Sequence, residues 1–370
     1  MSEQIGLEID FLPVGNGDRS GDAIAIRYGT PGNYKIVIYD GGTKESGQAL
    51  VDHVKKYYGT TYVDYVVNSH PDADHASGLS VVLENLEVGE LWLHQPWNYS
   101  SVILDYFKDG RITDNSLAER LKEKMDAAYK LEKLAESKNI KVKEPFRGER
   151  IGPFVVLSPE KEWYVHDLIA EFAKSPEQKK GVVTAESFGG LMGAITKAAE
   201  AAISWIEEKW GVESLREDVV TSAENESSVV MVGEFGDKIA LLTGDAGIRA
   251  LTKSAEYAES CNYSLPDKVT FYQVPHHGSR NNVSTSVLDR IVGSRKSSDD
   301  LAPTKTAYVS AGKDSKTHPR KMVVNAFIRR GARVVATQGQ TKCYYHNMPA
   351  RAGWVSVTPL EFSSKVESWT

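Results

Sequence analysis

The feature that most constrains this chain is the string Asn68-Ser69-His70-Pro71-Asp72-Ala73-Asp74-His75, which follows directly on the apolar run YVDYVV. A continuous apolar run of that length reads as a strand. Pro71 then bars a regular ladder or helix, so His70, Asp72, Asp74 and His75 are left in a loop at a strand end, where they can converge on one point. Mixed imidazole and carboxylate donors suit zinc, manganese or iron better than calcium or copper(I). Taken alone, the same string also reads as a solvated acidic turn capping the next helix, because Asp is a good N-cap.

Two further segments repeat the form. LLTGDAG sets Asp245 just past an apolar strand, and VPHHGS sets His276 and His277 just past another. Glycine follows in both, which allows close backbone approach. A carboxylate and an imidazole at the ends of separate strands are what a dinuclear metal site at one sheet edge needs.

The surrounding pattern is layered. Short strands (IGLEIDFLPV, AIAIRYG, YKIVIYDGG) broken by Gly, Asn and Asp turns open the chain, and a helical GQALVDHVKKYY precedes the metal-motif strand. From Asn98 to Glu224 the helical stretches SLAERLKEKMDAAYKLEKLAESKN and LMGAITKAAEAAISWIEEKW flank FRGERIGPFVVLSPE, which reads as a strand pair joined by a turn. Strands resume at SSVVMVGEF. The spacing thus predicts an N-terminal αβ half with the metal loop over 1–97, a mainly helical insertion over 98–224, and a C-terminal αβ half with the remaining ligands over 225–370.

Composition excludes several classes. At 41% hydrophobic and 25% charged residues the chain is an ordinary globular one. It has no run of eighteen apolar residues, and no basic flank with an apolar stretch at the N-terminus, so neither a membrane span nor a secretory signal is expected and cytoplasm is the default location. Two cysteines, Cys261 and Cys343, exclude a cysteine-built zinc site. The net charge is −6, yet His276 to Ala350 holds thirteen Lys or Arg against four Asp. The remainder is strongly acidic and would repel an extended polyanion outside a local basic pocket.

In order along the chain, FLPVGNGD, YDGG, SHPDADHASGL, ENESSVVMV, LLTGDA, VPHHGS and YVSAGKDSKTHP resemble the metallo-β-lactamase-fold hydrolases. They most resemble the metallohydrolase domain of the ComEC/Rec2 competence proteins, with 98–224 outside the match. The resemblance implies an α/β fold, a four-layer αββα sandwich of two facing mixed sheets, with two divalent metal ions, zinc or manganese, at one edge. It places His70 and Asp72 on the first metal and Asp74 and His75 toward the second. Asp245 would bridge both, and His277, which directly precedes glycine, would complete the set in preference to His276. Asp40 of YDGG would orient the ligand loop through hydrogen bonds. Two departures stand out: Asp72 replaces the usual second histidine of HxHxDH, and Asn225, Glu226 and Ser227 occupy the region of another. More oxygen donors lean the site toward manganese.

The activity so implied is hydrolysis by a metal-bridging hydroxide, on a phosphodiester of DNA, RNA or a small cyclic nucleotide. Asp74, His318 and Lys313 are the catalytic candidates, His318 to bind phosphate or protonate the leaving oxygen. Ser279, Arg280, Asn225 and His276 are the substrate contacts. A lactonase, thioesterase or β-lactamase on the same fold is the alternative; a non-catalytic binding protein, with 98–224 as a partner surface, is another. A nucleic acid or nucleotide is the expected partner, and a membrane is not. His53, His94, His166 and His346 have no partner motif and read as structural.

Overall fold

The computed structural model describes residues 4–17, 21–107, 109–172, 204–298 and 302–369. Its strands are β1 (Gly6–Phe11), β2 (Ala23–Thr30), β3 (Asn33–Gly41), β4 (Tyr62–Val67), β5 (Glu87–Trp92), β6 (Lys141–Lys143), β7 (Arg150–Ile151) and β8 (Phe154–Ser158). They continue as β9 (Trp205–Glu207), β10 (Val230–Phe235), β11 (Lys238–Leu242), β12 (Phe271–Gln273), β13 (Lys305–Val309), β14 (Ala332–Ala336), β15 (Lys342–His346) and β16 (Lys365–Glu367).

Two seven-stranded sheets result, in the orders β15-β1-β2-β3-β4-β5-β6 and β14-β13-β12-β11-β10-β8-β7. Both are mixed. In the first, β15 to β3 pair antiparallel and β3 to β6 parallel. In the second, β14 to β11 pair parallel and β11 to β7 antiparallel.

The period of two along each strand sorts side chains into layers. Leu7, Ile9, Phe11, Val37 and Tyr39 of the first sheet meet Phe154, Met231, Leu242, Phe271 and Tyr308 of the second in one buried cluster between the sheets. The alternate residues point the other way. Ile36, Ile38 and Val66 pack with Leu50 and Val51 of helix α1 (Lys44–His53) and with Leu79 and Val82 of helix α2 (Ala73–Asn85). On the second sheet Val232, Leu241 and Ala307 belong with Leu251, Leu288 and Phe327, from the helices Ile248–Ser260, Thr285–Ile291 and Lys321–Arg329. The architecture is α/β, with two facing mixed sheets and helices on their outer faces.

Two sequence expectations need correction. The division at 98 and 224 cuts through the sheets: β6 extends the first, β7 and β8 complete the second, and β15 returns from the C-terminal part to lie beside β1. The helical reading of LMGAITKAAEAAISWIEEKW also changes. Its first thirteen residues, 191–203, lie outside the described residues. Trp205–Glu207 is strand β9, paired antiparallel with β16. Tertiary contacts win there, because Glu208 is buried on Arg329 Nη1 at 2.8 Å and Asn325 Nδ2 at 2.8 Å.

One glycine contact positions the site. Gly78 of α2 donates its N–H to Gly42 O at 2.9 Å, and a Cβ at Gly78 would sit 1.9 Å from Gly41 O. Only glycine permits this approach, which sets the second turn of α2 against the end of β3. Among the described residues no helix is long and apolar enough to cross a membrane, and Cys261 and Cys343 are both free thiols.

Candidate metal centre

The candidate ligands come from the C-terminal ends of parallel strands in both sheets. Asp40 ends β3, the His70 to His75 loop follows β4, Asp245 follows β11, and His276 and His277 follow β12. Asp245 is the centre. Its Oδ2 lies 3.4 Å from His75 Nε2, 3.6 Å from His276 Nε2, 3.9 Å from His277 Nε2 and 4.0 Å from His70 Nε2. These are longer than charge-assisted hydrogen bonds, which run about 2.7–2.9 Å.

The other nitrogen of each buried ring fixes its proton. His75 Nδ1 donates to Asp40 Oδ2 at 2.9 Å, and His277 Nδ1 donates to the Ser310 carbonyl at 3.2 Å. His70 Nδ1 lies 2.9 Å from Ser69 Oγ, whose hydroxyl donates to Asp40 Oδ2 at 2.6 Å. With the proton on Nδ1, each ring in its neutral form turns the Nε2 lone pair toward Asp245. Among the described residues, His70 Nε2, His75 Nε2 and Asp245 Oδ1 are buried without hydrogen-bond partners. Lone pairs converging on a buried carboxylate are costly unless a cation lies among them. Tetrahedral zinc, with bonds of about 2.0–2.1 Å, spaces its ligand atoms about 3.4 Å apart. The donor set therefore fits a divalent metal.

The titration directions agree. Burial opposes ionisation of Asp245, but the imidazoles of His276, His75 and His277 hold it well below the usual carboxylate range. Burial likewise opposes charging His75, yet the Asp245 and Asp40 carboxylates raise it well above the ordinary histidine value. Burial lowers His70 and takes His277 down to about 4. A proton on His75 thus competes with metal for the same field.

The remaining candidates sort by contact. Asp72 stands at the N-cap of α2 but caps nothing with its side chain; its Oδ2 lies 3.7 Å from His70 Nε2. Asp74, in the first turn of α2, is near enough for its charge to act on His277. His276 differs from His277: its Nδ1 accepts from Asn225 Nδ2 at 3.0 Å, which puts the proton on the Nε2 that faces Asp245. The His318 ring lies 6.4 Å from His276, nearly parallel at 7°, and 6.5 Å from His277. Ser279 is buried beside them. Arg280 is engaged elsewhere, donating to the Ser368 carbonyl with its guanidinium 4.3 Å over Trp369. Lys313 is exposed, its stem against Gly339.

Several buried residues that sequence reasoning passed over hold the frame. Ser228 Oγ accepts the Asp245 N–H at 3.1 Å, and Asn282 Nδ2 donates to the Asp245 carbonyl at 2.7 Å. Glu226 accepts the Ala250 N–H at 2.8 Å, capping the helix that begins three residues after Asp245. Asp22 is 2% exposed and burial pushes its carboxyl up to about 7. It lies at the start of β2, where the sequence gives only a Gly-Asp before an apolar run. Asp40, His276 and His277 carry positive φ of 58°, 46° and 54°. Left-handed backbone at non-glycine residues costs about 1–3 kcal/mol each and clusters at functional sites.

Comparison with known proteins adds the following. A search of curated proteins returned no match. Among solved structures, the metallo-beta-lactamase fold protein YhfI from Bacillus subtilis aligns at 9% identity and TM-score 0.41, covering 92% of this chain and 100% of its own. Unliganded yeast PDE1 aligns at 12% identity and TM-score 0.41, covering 91% and 99%. A long form RNase Z from yeast aligns at 11% identity and TM-score 0.32, covering 95% of this chain and 40% of its own. Residues 16–112, which carry Asp22, Asp40 and the whole His70 to His75 loop, match the family profile of the metallo-beta-lactamase superfamily.

Proposed function

We propose that this protein is a metal-dependent hydrolase of phosphodiesters, acting on nucleic acid or a small nucleotide. The convergence of four imidazole Nε2 atoms on Asp245 Oδ2 within 3.4–4.0 Å carries the reading. His70, His75, Asp245 and His277 would hold divalent metal, with Asp72 and Asp74 at its edge. Zinc or manganese bound there would supply a water acidic enough to attack at neutral pH and positive charge for the developing oxyanion.

The chain's own residues supply the rest. Asp40 and Ser69 keep the protons of His75 and His70 on Nδ1 and away from the metal side. Asn225 keeps the His276 proton on Nε2, pointing into the space before Asp245, where it donates to a phosphoryl oxygen. His318, parallel to His276 and 6.4 Å from it, would be the group that protonates the leaving oxygen. The net positive segment His276 to Ala350 favours a substrate that keeps negative charge through the transition state, which a neutral lactam does not.

The test is turnover of bis-p-nitrophenyl phosphate, single-stranded DNA and cyclic dinucleotides, with manganese and zinc supplied separately, beside a lactam and lactone panel. Phosphodiester cleavage that needs metal supports the reading. Cleavage of lactams or lactones alone moves the protein to the other hydrolase class on this fold.

A further inference from the structure

Asp22 and Gln273 stand 251 residues apart and meet behind the Asp245 turn. Gln273 Nε2 donates to Asp22 Oδ2 at 2.9 Å. The Oε1 atom of the same amide accepts two consecutive backbone donors, Thr243 N–H at 2.8 Å and Gly244 N–H at 3.0 Å. Those are the two residues before Asp245. Asp22 is 2% exposed and Gln273 1%, so neither has water to turn to.

The wiring is directional. An amide has one acceptor and one donor end, and each end here meets a complementary partner. Two backbone N–H donors at the turn take the amide oxygen, and Asp22 Oδ2 accepts from the NH2 end, so both partners select the same orientation of Gln273. The turn itself needs holding. Gly244 is left-handed at φ 52°, and its Cβ position would lie 3.0 Å from Ser69 Cβ and Oγ. Ser69 belongs to the chain of hydrogen bonds that orients His70. The Asp22–Gln273 pair therefore fixes the backbone that delivers Asp245 and abuts the residue that sets His70.

We infer that Asp22 and Gln273 form a positioning pair for metal binding, in which the Asp22 carboxylate orients the Gln273 amide and the amide oxygen sets the Thr243–Gly244 turn that aims Asp245. Neither residue touches the metal or the substrate. The inference rests on the metal-centre reading of Asp245. Outer hydrogen-bond partners of this kind change metal affinity by about 10–100-fold.

The experiment is a reciprocal swap read by manganese(II) alone, following the electron paramagnetic resonance signal of free ion as each full-length variant is titrated. Gln273→Glu keeps an acceptor for the turn but faces Asp22 with a second carboxylate, and should weaken manganese binding about tenfold or more. Asp22→Asn alone should bind within about threefold of wild type, since its amide oxygen still accepts from Gln273. In the double variant Asp22→Asn/Gln273→Glu, the amide introduced at the first position donates to the carboxylate introduced at the second, and the pair is rebuilt with its polarity exchanged. Affinity should return to within about threefold of wild type, a recovery that mere packing damage would not give. Gln273→Met, a near-isosteric variant without the bonds or the charge, serves if Gln273→Glu does not fold, and should lose about tenfold. Wild-type binding in folded Gln273→Glu or Gln273→Met, or a double variant no better than Gln273→Glu, overturns the inference. A wild-type chain that binds no manganese refutes the metal-centre reading instead, so the two failures are distinguishable.

Discussion

Asp10 and Asp245 are both buried aspartates held well below the usual carboxylate range, yet their surroundings are opposite. Burial works against ionising Asp10, but both its oxygens accept from Arg351, at 2.7 Å each. Tyr58 OH donates to Oδ2 at 2.7 Å, and His53 Nε2 lies 3.1 Å away. Arg351 is itself stacked on Tyr57, Tyr58 and Trp354. Both oxygens of Asp10 are satisfied within the chain, and the result ties the segment after β15 to the first sheet. Asp245 has four imidazoles at 3.4–4.0 Å, an unpartnered Oδ1, and strained backbone at two of its neighbours. A saturated buried carboxylate is structural; one left open among lone pairs is a candidate for binding a cation.

The largest expected effect breaks that contrast directly. Asp10→Ala removes the bidentate partner of Arg351, leaving it Glu8 Oε2 at 3.1 Å, and should cost about 3 kcal/mol in urea unfolding, the low end of the penalty for removing one partner of a buried pair. In metal-free protein Asp245→Ala should cost less than about 1 kcal/mol, because the attraction it loses is offset by removing a buried unsatisfied oxygen. If the two variants destabilise equally, the distinction between closed and open carboxylates fails.

A third buried group sharpens the comparison. His94, the residue after Leu93 at the end of β5, is stacked on Tyr164 at 4.4 Å and lies 4.8 Å from Phe146, with neither nitrogen bonded. Being unpartnered is therefore not enough to make a site; among the described residues no carboxylate acts on His94, and burial alone pushes it down to about 3. In the unfolded chain it protonates near pH 6.5, so the unfolded state gains a proton first as pH falls. The stability it leaves intact above pH 6.5 drains away toward pH 3. Between pH 7.5 and 4.5 the wild type should lose about 2–3 kcal/mol more than His94→Phe, measured as the difference in unfolding free energy at the two values. Equal acid sensitivity would mean that His94 is not held neutral.

The metal loop was readable because its information is local. Pro71 bars a ladder or helix after the apolar run, and four candidate ligands of two types lie within six residues, so pattern and spacing suffice. The layered α/β architecture was readable from strand alternation for a similar reason: Ile36 and Ile38 face the helices while Val37 and Tyr39 face the other sheet. What escaped depends on contacts between distant segments. Nothing near Asp22 announces Gln273, and nothing near Arg280 announces that Ser368 and Trp369 take its guanidinium. The helical periodicity of AAISWIEEKW is genuine, but Arg329 and Asn325 bind Glu208 and β16 pairs with Trp205–Glu207, so tertiary bonding overrides it. The division of the chain at 98 and 224 failed for the same reason, since strand pairing across the sheets ignores sequence order.

The proposed chemistry requires Asp245 and the imidazoles around it to hold a divalent metal. The most direct measurement is elemental analysis of full-length wild type and Asp245→Ala after equilibration with zinc or manganese and removal of excess ion, with circular dichroism confirming that both are folded. Retention of at least one metal per wild-type chain, and its loss from Asp245→Ala, is the predicted result. Metal-free wild type, or equal metal content in both proteins, would contradict it.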